Sequence, residues 1–271
     1  MYTRITHTYI EYYYEPGITN KSMLPQAYSH KPQATDARDY VYTPTNAKLR
    51  DIVDLRAYCS PVEHQYHIGS CTGNALANTY EVMLKIYDAK NYFTVSRLFI
   101  YYNIRLLEGT VDIDTGGYIR DGIKAMAKYG VCDEECWPYN IEEFATPPAQ
   151  KCYDQAKTHS LKNYQRLTTV NDMMEVLNEN KPFAFGIAIY SDFPDMDSDN
   201  TIIQPRKNNE PSLGGHAMCM VGYDLTRQLF LAKNSFGPDW ADRGYCWIPF
   251  DYMRSEGYDS WCFDLSDHVT E

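Results

Sequence analysis

The stretch Gln65-Tyr66-His67-Ile68-Gly69-Ser70-Cys71-Thr72-Gly73-Asn74-Ala75 joins a loop of small and polar residues to an amphipathic segment, with one cysteine at the junction. From Leu76 the apolar residues recur as Leu76, Tyr80, Met83 and Tyr87, a 3.6-residue spacing that predicts a helix from Cys71 to about Asp88 with one buried stripe. Cys71 then sits in the first turn, where unpaired N–H groups and the positive end of the helix dipole favour a thiolate and lower a cysteine pKa below its free value of roughly 8.5. A free cysteine is just as commonly a small apolar filler, so residues elsewhere in the chain have to decide between the two.

A thiolate nucleophile needs a partner that stabilises it and later protonates the leaving group, and imidazole suits that role near neutral pH. Of the seven histidines, His7 and His30 lie in a polar, tyrosine-rich leader, His159 in a lysine-bearing loop, His268 three residues from the end, and His64 and His67 beside Gln65. These six read as solvated. His216 differs, because Gly214-Gly215-His216-Ala217-Met218-Cys219-Met220-Val221-Gly222-Tyr223 places it at the start of an apolar run that reads as a strand, 145 positions beyond Cys71. Eighteen residues later, Ala232-Lys233-Asn234-Ser235-Phe236-Gly237 again sets a polar residue at the end of an apolar strand, where Asn234 can orient the imidazole.

Gln, Cys, His and Asn in this order and with these flanks resemble the papain-like cysteine peptidases, and the resemblance spans most of the chain. It implies that Gln65, six residues before Cys71, helps to build an oxyanion hole. Thr115-Gly116-Gly117-Tyr118 resembles the Gly-Gly motif that hydrogen-bonds an extended substrate, and a helix ending in Ala127-Lys128-Tyr129-Gly130-Val131 follows it. Trp137-Pro138-Tyr139 is similar to the family's Tyr-Pro-Tyr. Asn234-Ser235-Phe236-Gly237, through Trp240 to Gly244-Tyr245, is similar to its Asn-Ser-Trp-Gly block. The departures remove no catalytic atom. Thr72 follows the nucleophile where papain and the cathepsins have Trp, Phe236 replaces the Trp that shields the Asn–His hydrogen bond, and Ile68 stands where a disulfide cysteine is usual. Gly69-Ser70-Cys71-Thr72, with Ser96-Arg97-Leu98-Phe99 downstream, resembles divergent members from bacteria, archaea and large DNA viruses more than a secreted lysosomal type.

Composition bounds the partners. At 271 residues with 44% hydrophobic content the chain can fill one large domain or two lobes sharing a cleft. A net charge of −11, from 25 basic and 36 acidic residues, argues against nucleic-acid binding, which needs a basic footprint. Met1-Tyr2-Thr3-Arg4-Ile5-Thr6 opens no apolar h-region and no segment reaches the ~18 apolar residues of a membrane span, so the expectation is cytoplasmic synthesis and no membrane partner. Asp195-Met196-Asp197-Ser198-Asp199 lacks the Gly and terminal Glu of a calcium loop and reads as a solvated loop. The eight cysteines, at 59, 71, 132, 136, 152, 219, 246 and 262, do not follow the papain disulfide pattern and are expected to be reduced in the cytosol. Cys132 and Cys136 form a close pair without the second Cys or His pair of a zinc set, so neither metal nor cofactor is expected.

In chain order, residues 1–48 form a leader in which Tyr12 to Gly17 suggests a short strand and Leu24 to Pro44 an extended run. It reads as an arm packed on the catalytic lobes, in preference to a cleavable inhibitor. Residues 49–271 form the peptidase domain, with Ile52-Val53-Asp54-Leu55-Arg56 resembling the start of a mature papain domain. A helical lobe spans about 60–150: Ser96 caps a second helix through Leu107, and a third follows Gly117 and stops at Gly130. A β lobe spans about 151–271, with strands at Leu161–Leu167, Phe183–Ile189, Ala217–Tyr223, Leu229–Lys233 and Tyr245–Pro249, and a helix from Asn171 to Asn178 capped by Asn171.

The resemblance thus implies an α+β, two-lobed papain-like fold, a helical lobe plus an antiparallel β-barrel-like lobe, with the active site in the cleft between them. It implies a cysteine endopeptidase acting on polypeptides through Cys71, His216, Asn234 and Gln65. Substrate would lie extended along Gly116-Gly117, with Tyr118, Ile119, Gly186, Gly215 and Ala217 at its walls and an apolar side chain in the main pocket. Two other classes stay open: an inactive papain-fold binding protein, and a related cysteine acyltransferase or amidase.

Overall fold

The computed structural model describes residues 28–30 and 32–266. Helix α1 (Cys71–Tyr87) runs through the middle of the molecule, and every residue from Cys71 to Leu84 is buried, where its periodicity predicted a single buried stripe. The reason is its neighbours: α2 (Arg97–Glu108) and α3 (Ile119–Tyr129) cover one side, and the strands β3 (Phe183–Ile189), β4 (Gly214–Asp224) and β7 (Gly257–Leu265) cover the other. Ser96 caps α2 as expected, its side chain accepting from Phe99 N, and Gly109 and Gly130 terminate α2 and α3.

The second lobe is one antiparallel sheet of seven strands in the order β2-β7-β3-β4-β5-β6, with β1 (Ile52–Asp54) added on β4. Strands β2 (Leu161–Leu167), β5 (Leu229–Lys233) and β6 (Tyr245–Pro249) fall where the sequence placed them, and β4 starts three residues earlier than expected, at Gly214. Helix α5 is Val170–Asn178 and its cap is Thr169, whose hydroxyl accepts from Asp172 N while the Asp172 carboxylate accepts from Thr169 N, so the expected Asn171 cap is wrong. Helices α4 (Gln150–Ala156) and α6 (Phe250–Glu256) and strand β7 were not foreseen. The two lobes carry separate cores. One surrounds α1 and includes Leu76, Tyr80, Ile104, Ile123 and Trp261; the other lies within the sheet lobe around Phe183, Met218, Phe230 and Ile248.

A charged cluster joins the lobes one residue before Asn234. The Lys233 ammonium, 1% exposed, donates to Ser60 Oγ at 2.8 Å, Pro61 O at 3.1 Å and Asn78 Oδ1 at 2.5 Å. Ser60 in turn donates to the Glu81 carboxylate, whose other oxygen accepts from Val95 N at 2.8 Å. Every proton of the buried cation has an acceptor, the condition under which an interior charge is tolerated.

The described part of the leader packs along the domain. Residues 28–30 enter the cleft between the lobes, and the stretch from Gln33 to Asn46 follows α3, β2 and α5. The suggested strand at Tyr12 to Gly17 lies outside the described residues.

Candidate active site

The nucleophile side is set by the helix. Cys71 begins α1 and is fully buried, with the Ala217 and Thr72 backbones placed to favour its thiolate. Gln65 is also fully buried: its Oε1 accepts from Ser235 Oγ at 2.6 Å and its Nε2 donates to Ile68 O at 3.1 Å, leaving one amide proton of Nε2 over. The loop between them is held from three sides. Gly69 N donates to both Asp114 oxygens at 2.9 and 3.0 Å, Ser70 Oγ lies 2.5 Å from Tyr139 Oη, and that hydroxyl donates to Gln65 O at 2.9 Å. The Thr72 hydroxyl donates to Gly117 O at 2.8 Å and so ties the Gly-Gly segment to α1.

The imidazole side is set by the sheet. His216 lies on β4 and Asn234 follows the end of β5, two neighbouring strands. His216 Nε2 stands 2.7 Å from Asn234 Oδ1, which also accepts from Ser235 N at 2.8 Å. An amide oxygen can only accept, so Nε2 carries the proton and Nδ1, buried and without a partner, is the basic nitrogen. Four aromatic rings surround the pair: Phe236 at 4.8 Å, Phe193 at 5.5 Å and, edge-on, Tyr28 at 6.2 Å from the imidazole centroid, with Trp240 packed at an angle behind Phe193 and Phe236. The sequence identified Phe236 and Trp240 and missed Phe193, which closes the cage from the loop after β3.

Residues 28–30 occupy the space between these two walls. His30 N donates to Gly215 O at 3.2 Å, and its ring stacks on Tyr258 with centroids 5.3 Å apart and planes 14° from parallel. His30 Nδ1 donates to Gly117 O at 3.0 Å. Ser29 is bridged to Gly215 and stands so close to Gly116 that a Cβ there would lie 2.3 Å from Ser29 Oγ; with φ +75°, Gly116 is doubly confined to glycine. Gly186 is equally tight, a Cβ there falling 2.5 Å from His30 Nε2. Gly116, Gly117, Gly186 and Gly215 therefore line the filled cleft. Tyr118 is half-buried, Ile119 is buried in the core around α1, and Ala217 touches the cysteine. Past Ser29 the cleft continues between Glu108, Thr115 and Tyr118.

Two expectations are corrected here. His30, read as solvated, is 2% exposed, because both walls close over it. Cys71, expected to titrate low at its helix N-terminus, is instead pushed up to about 11 by burial, which outweighs the hydrogen bonds that favour its thiolate. Burial likewise holds His216 down to about 4, with the Asn234 bond acting the other way. With the cleft filled, both groups are neutral. Of the other histidines, His67 is exposed and His64 is half-buried against Tyr66. His159 is half-buried against Phe93, and His7 and His268 lie outside the described residues. The Asp195–Asp199 stretch is an exposed turn except for Met196, and among the described residues no three His, Cys, Asp or Glu side chains are placed to hold a metal ion. No helix among them is long and apolar enough to cross a membrane.

Comparison with known proteins gives the same answer as the geometry. The model for "Papain family cysteine protease" matches residues 44–257. An uncharacterized peptidase C1-like protein of Acanthamoeba polyphaga mimivirus is 38% identical over 218 residues, 77% of this chain and 70% of the relative. A cathepsin B-like protein of Giardia intestinalis is 32% identical over 142 residues, 48% of this chain and 45% of its own length. The crystal structure of xylellain, a cysteine protease from Xylella fastidiosa, superposes with a TM-score of 0.83 at 34% identity, over 89% of this chain and 97% of that one. The α+β fold with its cleft between lobes is shared with these proteins, and the chain belongs to the papain family of cysteine proteases.

Proposed function

We propose that the chain is an endopeptidase that cleaves polypeptides through a Cys71–His216–Asn234 mechanism with a thioester intermediate. The observation that carries this is the tautomer of His216: Nε2–H is committed to Asn234 Oδ1, leaving Nδ1 free on the residue next to Ala217, whose backbone holds the Cys71 thiol. Nδ1 takes the thiol proton as sulfur attacks the scissile carbonyl, and the imidazolium gives that proton to the departing amine nitrogen. The oxyanion is held by Cys71 N–H and the remaining proton of Gln65 Nε2, an interaction typically worth roughly 3–4 kcal/mol of barrier. Water, deprotonated by the same Nδ1, adds to the thioester; its carbon–sulfur bond breaks, the acid leaves and the proton returns to sulfur.

Substrate backbone would take the place that residues 28–30 hold now, along Gly116-Gly117 and Gly215. The main pocket, between Gly186, Ala217 and Tyr258, suits a flat side chain that can stack on the Tyr258 ring as His30 does, which refines the expectation of an apolar group. Residues 28–30 are a latch in this reading: while His30 is seated, the substrate sites are taken and the enzyme is latent.

The test is substitution in the uncovered enzyme. Cys71→Ala is expected to abolish hydrolysis and labelling by a thiol-reactive peptidyl epoxide while the melting temperature stays close to that of the parent. His216→Ala should lower kcat/KM by about 10⁴-fold or more, and His67→Ala by less than about twofold. Epoxide labelling that persists in Cys71→Ala, or equal losses from the two histidines, would remove the assignment.

A further inference from the structure

Three of the eight cysteines meet away from the cleft, in a small apolar cluster with Phe99, Ala156, Trp137 and Tyr153. Cys132 follows α3, Cys136 lies in the turn that leads to Trp137-Pro138-Tyr139, and Cys152 is on α4. Cys136 Sγ and Cys152 Sγ are 2.9 Å apart, about 0.9 Å more than a disulfide bond of about 2.05 Å. Cys152 Sγ also reaches Cys136 O at 3.3 Å, and Cys132 is buried in the same cluster. Cys132 and Cys152 are fully buried, whereas Cys136 is half-buried and open to a reagent. No histidine or carboxylate completes a metal set among the described residues, so the chemistry open to these thiols is redox chemistry.

We infer that Cys136 and Cys152 are a disulfide site, closed by a small disulfide oxidant of the glutathione type and reopened by a thiol reductant, with Cys132 remaining a thiol. The Cys136 thiolate attacks one sulfur of the oxidant, expelling one small thiolate and leaving a mixed disulfide. Cys152 sulfur then attacks Cys136 sulfur, the mixed bond breaks, and the second small thiol leaves. Two protein thiols are oxidised, one small disulfide is reduced to two thiols, and both protein protons end on those products. Burial pushes the Cys152 thiol up to about 11, so the second displacement is the slow one.

The bond would close a loop with a sequence separation of 16 and pin α4 to the turn before Tyr139. Tyr139 Oη is the group that holds Ser70 and Gln65 O, so the staple supports the loop that precedes Cys71 from behind. The inference is independent of the peptidase mechanism, since neither sulfur lies in the cleft.

The experiment equilibrates the full chain, and the same chain carrying Cys71→Ala, in buffers spanning oxidised to reduced glutathione. Free thiols are then alkylated and the unreduced peptides are mapped by mass spectrometry. Expected is one linked pair, Cys136 to Cys152, two hydrogens lighter than the separate thiols and reversed by dithiothreitol. Oxidation should raise the melting temperature by roughly 5–10 °C. Cys136→Ser should match the parent in dithiothreitol and lose that rise under oxidant. Full alkylation of both residues at the oxidising limit, Cys132 in the linked peptide, or a rise that survives Cys136→Ser would each overturn the assignment. If Cys136→Ser does not fold, the peptide map of the parent chain decides alone.

Discussion

Residues 28–30 and residues 40–46 belong to one arm, yet they hold the domain in different ways. The first stretch meets glycine backbone and ring faces: Gly215 O, Gly117 O, the face of Tyr258 and, through Tyr28, the rings of His216 and Phe236. The second is built into the fold. Tyr42 is buried in the core of the sheet lobe, its N–H donating to Arg166 O at 2.9 Å and its hydroxyl to Glu179 at 3.1 Å; Thr45 N and Asn46 N donate to one oxygen of Glu175 at 2.7 and 3.2 Å. Asp39 between them is clamped by Arg120 at 2.7 Å and Arg166 at 3.5 Å. In the proposed function the first stretch would be a releasable latch and the second its tether. A tether keeps the latch at an effective concentration in the mM range, so a contact with only μM intrinsic affinity stays closed about 10³ times in 10³ + 1.

The largest effect expected from breaking this contrast is on rate. A chain beginning at Gln33 lacks the latch and keeps the tether, and its peptidase rate should rise by about 10³-fold with little change in melting temperature. An unchanged rate would mean that residues 28–30 do not guard the cleft. Next comes Tyr42→Ala in the full chain, which should cost about 3 kcal/mol and lower the melting temperature by roughly 6–12 °C. If it instead accelerates hydrolysis without destabilising, the tether and the latch are one cooperative unit.

The latch alone should respond to acid. Burial holds His30 down to about 4, against an ordinary value near 6.5, and the groups facing it are the Gly117 carbonyl, the Thr72 hydroxyl, the Tyr258 ring and His216, with no carboxylate among them. The docked form therefore binds fewer protons than the free form. Docking is at full strength above about 6.5 and weakens as the pH falls toward 4, by up to about tenfold per unit in between. Labelling of Cys71 by iodoacetamide at pH 5 and 6, corrected for thiolate fraction, should show this step, and His30→Gln should flatten it. A step of the same size in His30→Gln would assign it to another group. The smallest effect is Glu175→Gln, which weakens the acceptor for Thr45 and Asn46 and should cost about 1 kcal/mol in thermal unfolding, leaving rate unaltered.

Cys71, His216, Asn234 and Gln65 are legible in the sequence because each has local flanks, an apolar strand or a helix start, that fix its place whatever the rest of the chain does. Burial by distant segments is not local, and the differences between expectation and structure follow from that. His30 looks solvated among polar neighbours, but its partner Gly117 is 87 residues away. Cys71 looks activated by its helix, but the two walls and residues 28–30 together remove the water a thiolate needs. Strand β7 carries Asp259, Ser260 and Asp264 and has no clean alternation; it forms because it lies between β2 and β3 and is covered on both faces at its centre. The α5 cap is readable, since Thr169 and Asp172 have the spacing of a capping box, and that spacing outranks the Asn two positions later. Phe193 and Tyr258 carry no local mark of their roles.

The Lys233 cluster has a mechanical meaning. It ties β5 of the sheet lobe to α1 and to the loop at Ser60 and Pro61, one residue before Asn234. Separating the lobes would cost the Lys233 ammonium its three acceptors at once. The cluster therefore favours the spacing of the two lobes seen here. In the proposed function, access to the thiol then depends on when a three-residue strip of the chain's own leader leaves its seat, so timing would belong to the leader and geometry to the weld.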